Sequence, residues 1–90
     1  MVHTVTLKQV KSTKKNKKIA AAVYLYQADN DGGWGELRFD FENGTAEIVK
    51  LADWDTTKSN IFAKTAIRYI QSLPEAKLPS ETVVMFDQAL

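Results

Sequence analysis

Between Glu36 and Glu42 polar and apolar positions alternate without exception. Leu37, Phe39 and Phe41 fall on one side of an extended strand, and Glu36, Arg38, Asp40 and Glu42 on the other. Strand side chains point to opposite faces with a period of two, so the run predicts a half-buried strand over 34–42. Asn43-Gly44 follows, and then a second β-rich run over 45–51. Asn-Gly between two such runs predicts a hairpin through a two-residue type I′ turn, because both turn positions need positive φ. That register sets Phe41 opposite Ala46, Phe39 opposite Ile48 and Leu37 opposite Lys50. The last pair is a misfit that leaves Val49 and Leu51 outward. A bulge near Val49 or a second covered face would relieve it.

Two strands are expected upstream. Residues 2–10 are rich in β-branched side chains, with His3, Val5 and Leu7 on one face. Residues 19–28 are apolar on both faces: Ile19, Ala21, Val23 and Leu25 on one, Ala20, Ala22, Tyr24 and Tyr26 on the other. A strand of that kind is central in its sheet or covered on both sides. Residues 12–18 hold no apolar side chain and read as a mobile connection longer than a tight turn. Residues 29–33, Asp-Asn-Asp-Gly-Gly, reverse the chain.

A helix is expected over 57–72. Phe62, Ala66, Tyr69, Ile70 and Leu73 recur at helical spacing, Asp55 or Thr57 can cap the first turn, and Pro74 stops it. The tail, 80–90, reads two ways. Thr82 to Phe86 has strand composition, but Pro79-Ser80-Glu81 looks like a helix start, and Val83, Phe86 and Leu90 share a helical face. The second reading is favoured. Together these elements predict an α+β fold. It comprises a single domain over 1–90, a four-stranded antiparallel meander in the order 1-2-3-4 and a C-terminal helix packed on one face. A short further helix or strand packs beside it.

Composition changes this picture in two places. The chain has no cysteine, which removes disulfides, thiolate catalysis and Cys-ligated zinc. The net charge of +1 conceals a division: residues 1–28 carry six lysines and no acid, whereas the remainder carries six basic residues against eleven acids. The start has no apolar signal-like segment and no stretch reaches the length of a membrane span. An intracellular, cytoplasmic protein with no membrane contact is the expectation.

Four groups of residues invite a functional reading. Lys11, Lys14, Lys15, Lys17 and Lys18 either neutralise phosphates or form a solvated loop; they lack the arginine and interleaved aromatics of base-reading segments. Tyr24, Tyr26, Trp34 and Trp54 either stack bases or belong to the core. Glu36, Arg38, Asp40, Glu42 and Glu47 either meet a basic partner or form the ordinary wet side of a sheet. Asp29 to Gly33 faintly resembles a calcium loop, but with Gly32 at the sixth position the twelfth residue is Arg38, so a plain turn is expected. His3 is the only histidine and lies near the chain start, where fraying is expected. No catalytic residues, metal or cofactor follow from these patterns. The leading expectation is a small non-enzymatic regulator, inhibitor or accessory factor, of the type carried by phages and mobile elements, acting on a protein partner. The alternatives are nucleic-acid binding through the lysine-rich segment 11–18 and exposed aromatics, and self-association as a homodimer or structural component.

Overall fold

The computed structural model describes residues 2–29, 32–52, 55, 60–73 and 78–87. It is a small α+β fold: β1 (Val2–Lys15), β2 (Lys18–Ala28), β3 (Gly35–Asp40), β4 (Thr45–Lys50), α1 (Ile61–Ser72) and β5 (Glu81–Asp87). All strand pairs are antiparallel, in the order β4-β3-β2-β1-β5. The meander of four strands is present as expected. The tail is a strand and not a second helix, so the sheet has five strands and its edges are β4 and β5. β1 lies inside the sheet, and β2, the strand greasy on both sides, lies at its centre.

The core occupies one face. Val5 and Leu7 from β1, Ala22, Tyr24 and Tyr26 from β2, and Leu37 and Phe39 from β3 meet Phe62, Ala63, Ala66 and Ile70 of α1. The helical stripe read from the sequence therefore packs on the face that carries Leu37 and Phe39. Full burial of Phe62 and Ile70 contributes roughly 1.5–3 kcal/mol each. The helix begins at Ile61, four residues later than expected, after Asn60 takes up φ 63°.

The β3–β4 hairpin differs from its expected form. Asp40 pairs with Thr45, so the loop holds four residues, 41–44, and only Gly44 in it has positive φ. The Asp40 carboxylate accepts hydrogen bonds from the backbone N–H groups of Glu42 (3.1 Å) and Asn43 (3.2 Å) and from the Asn43 amide (2.7 Å). This side-chain-closed turn displaces the type I′ turn. The register consequently slips by two, an even number that keeps the side chains up to Ile48 on their expected faces. Ala46 lies opposite Phe39 and Ile48 opposite Leu37, so the misfit disappears. Val49 is then passed over, and Lys50 lies opposite Glu36. That is the bulge the sequence offered as one of two solutions.

The lysine segment also differs from expectation. β1 runs to Lys15 and β2 starts at Lys18, joined by Asn16 (φ 53°) and Lys17 (φ 67°). Two consecutive left-handed residues between paired strands make a tight hairpin in place of a mobile connection. Bulges at Val10 and Ala20 let this long pair curve.

Gly35 is required by a close approach. A methyl group there would meet the Tyr26 ring and would lie 2.6 Å from both the Ala52 nitrogen and the Lys50 carbonyl oxygen. Two of those neighbours are backbone and cannot rotate aside. Gly35→Ala is therefore expected to lower stability by about 1–3 kcal/mol in urea unfolding. Gly44→Ala meets open space and carries only the strain of φ 67°.

Candidate functional site: the tyrosine anchors, the open face and the lysine hairpin

Tyr24 and Tyr26 are fully buried on the helix-covered face. Neither ring is available to stack on a base, which corrects the platform reading for both. Their hydroxyls instead hold distant segments. The Tyr26 hydroxyl donates to Asp55 Oδ2 (2.7 Å) and accepts the Ala52 N–H (3.0 Å). The Asp55 carboxylate, itself buried, accepts the N–H groups of Phe62 (2.9 Å) and Ala63 (2.8 Å). Asp55 thus caps α1 as expected, but from outside the helix, because Asn60 makes no side-chain cap. The Tyr24 hydroxyl donates to the Pro79 carbonyl (2.6 Å) and accepts from Gln9 Nε2 (3.1 Å), fixing the approach to β5.

Burial pushes both phenols above the ordinary tyrosine range; at Tyr26 the Ala52 N–H opposes this and the bond to Asp55 adds to it. Asp40 is held below the usual carboxylate range, chiefly by the Asn43 amide.

His3 is buried, not frayed. Its Nδ1 lies 3.0 Å from Asp29 Oδ2, and Asp29 Oδ1 accepts the Thr4 N–H at 2.9 Å. Its ring packs 5.6 Å from both Phe62 and Phe86. The Asp29 carboxylate is therefore engaged in joining β1 to the end of β2. Asn30, Asp31 and Trp54 lie outside the described residues. Among the described residues no group of three His, Asp or Glu side chains is placed to share a metal ion.

The second face of the sheet has no covering element among the described residues. Cross-strand neighbours form rows on it: Glu81, Lys8, Leu25, Glu36 and Lys50 in one, Lys11, Val23, Arg38 and Glu47 in the next. The sequence expected an acidic sheet surface apart from the lysines. The strand order sets Glu36, Arg38, Asp40 and Glu47 on the same face as Lys8 and Lys11, and it interleaves the signs. Arg38 lies 4.0 Å from Glu47, and Glu42 pairs with Lys15 at 3.4 Å. An open trough of about 550 Å³ runs over Ala21 and Val23, with Lys11 on one side and Glu36 and Arg38 on the other. Trp34 is 36% exposed and stands on the approach to β3, away from the lysine hairpin.

Sequence reasoning missed the exposed apolar residues of the tail. Val83 is 54% and Met85 72% exposed on β5. Their alternation with Val84 and Phe86, which pack on the core, was the available strand signal. No family model, no curated protein and no solved structure matches this chain. No helix among the described residues is long and apolar enough to cross a membrane.

The tyrosine environment sets an alkaline limit. Both phenols titrate higher folded than unfolded, so their contribution is complete below about pH 10 and is lost as pH rises above it. Stability measured by urea unfolding is expected to fall through pH 10–11. Tyr26→Phe should reduce that slope by up to about 1.4 kcal/mol per pH unit, the contribution of one proton.

Proposed function

We propose that this chain is a small non-enzymatic binding protein, a regulator, inhibitor or accessory factor, that receives a protein partner as an extended segment along β5. The observation that carries this reading is the contrast between the two sheet edges. β4 is blunted by the bulge at Val49 and by Glu47 and Lys50. Bulges and charges are the usual protection of an edge strand. β5 has neither device along its middle. Its register with β1 is unbroken from Val2↔Asp87 to Lys8↔Glu81, and Thr82 to Phe86 carry no charge. Such an edge suits β-strand addition, where main-chain hydrogen bonds supply affinity and alternate side chains supply specificity.

The ends of β5 indicate the partner's chemistry. Glu81 and Asp87 bracket the uncharged stretch. Pairing with a second copy about the strand centre would set Glu81 opposite Asp87, like charges directly across a ladder. A segment with alternating apolar residues and a lysine or arginine at each end is complementary. Val83 and Met85 would flank its apolar side chains on the open face.

The test is selection of random twelve-residue peptides displayed on phage against the immobilised full chain. Enriched peptides are expected to alternate β-branched or aromatic residues between basic ends. Their affinity should fall at least tenfold for the V83K/M85K variant, whose fold is checked by circular dichroism. Absence of any consensus, or equal binding to the variant, would overturn the reading.

A further inference from the structure

We propose that the closed end of the β1–β2 hairpin is a contact site for the phosphate backbone of duplex nucleic acid. The inference uses a different surface from β5 and stands or falls without it.

Pairing of β1 with β5 ends at Lys8↔Glu81, and pairing of β2 with β3 ends at Ala21↔Asp40. The hairpin therefore runs past β5 on the β1 side; on the β2 side the Phe41 N–H still bonds the Ala20 carbonyl (2.8 Å), so it clears the β3 side only at its closed end. Lys11, Lys14, Lys15, Lys17 and Lys18 all lie on this extension and are all exposed. Among the described residues the acid paired with them is Glu42, through Lys15. No acid occurs anywhere in residues 1–28, so nothing within the hairpin offsets the charge.

Order matters as much as charge. A mobile lysine loop loses conformational freedom on binding, whereas a paired ribbon closed by Asn16 and Lys17 is already set. Cross-strand pairing of Lys15 with Lys18 brings two ammonium groups to one face of the ribbon. That like-charge placement is only partly offset by Glu42, 3.4 Å from Lys15. A phosphate between or beside them relieves it.

The same geometry restricts the ligand. Single-stranded nucleic acid is held by aromatic stacking as well as charge. Tyr24 and Tyr26 are buried, and the hairpin extension has no aromatic residue. It has no arginine for bidentate base reading either. What remains is point-charge contact to a regular, densely charged backbone, which a duplex presents best. Binding should be independent of sequence.

Fluorescence anisotropy of a labelled twenty-base-pair DNA duplex of mixed sequence tests this. With about four phosphates neutralised, affinity should fall about a hundredfold between 50 and 200 mM salt. The K11Q/K14Q/K17Q/K18Q variant should lose most of the affinity and flatten the salt dependence, with its thermal melt unchanged. The corresponding lysine-to-arginine variant should retain binding. Oligo-dT of twenty nucleotides and poly-L-glutamate should bind more weakly than the duplex. Three results would each overturn the proposal: no binding at 20 mM salt, binding unaffected by the glutamine variant, or equal or tighter binding of oligo-dT or poly-L-glutamate.

Discussion

Two tyrosine hydroxyls on the central strand decide where the second half of the chain goes. Tyr24 and Tyr26 stand two residues apart on the same face of β2, each ring fully buried. A buried hydroxyl must find a partner or lose roughly 1–3 kcal/mol. Tyr26 finds Asp55 and Ala52, which fixes where α1 begins; Tyr24 finds Pro79, which fixes where β5 begins. The chain leaves the sheet after β4 and returns to it on the far side at β5. Both ends of that excursion are held by one strand. Asp55 connects this anchor to the helix, since the same carboxylate that accepts the Tyr26 hydrogen bond accepts two N–H groups of the first helical turn. The positive end of the helix dipole favours a carboxylate there.

Because α1 and the two anchors occupy one face, no described element covers the other face or the outer edge of β5. The strand order then divides the polar surface by position. The β1–β2 hairpin gathers the lysines at its closed end, the rows between β1 and β4 interleave both signs, and β5 offers an uncharged edge between two acids. The two proposals therefore concern separate surfaces, the β5 edge and the cationic hairpin. The accessory role proposed above rests on the β5 edge alone.

Much of the fold was legible in the sequence, and the failures have identifiable causes. Period-two alternation located β3, and its faces survived a register slip of two because the strand period is two. The slip itself followed from Asp40, whose carboxylate closes the loop more effectively than Asn43 and Gly44 would by φ alone. The lysine hairpin was read as a loop because tight turns are recognised by glycine, and Asn16-Lys17 has none. The tail was read as a helix because Pro79-Ser80-Glu81 imitates a helix start; pairing to β1 is a long-range interaction that local pattern does not carry. The burial of Tyr24 and Tyr26 depended on which face the helix covers, as did the engagement of His3 with Asp29. No strand taken alone contains that information.

The most direct test of this account is a double-mutant cycle on Tyr26→Phe and Asp55→Asn, measured by urea unfolding at neutral pH. If the hydroxyl and the carboxylate form one anchor for α1, the two losses are not independent. The coupling energy should then exceed about 1 kcal/mol, with each single variant costing roughly 1–3 kcal/mol. Losses that add to within about 0.3–0.5 kcal/mol would contradict it, since that is the behaviour of sites that do not share an interaction.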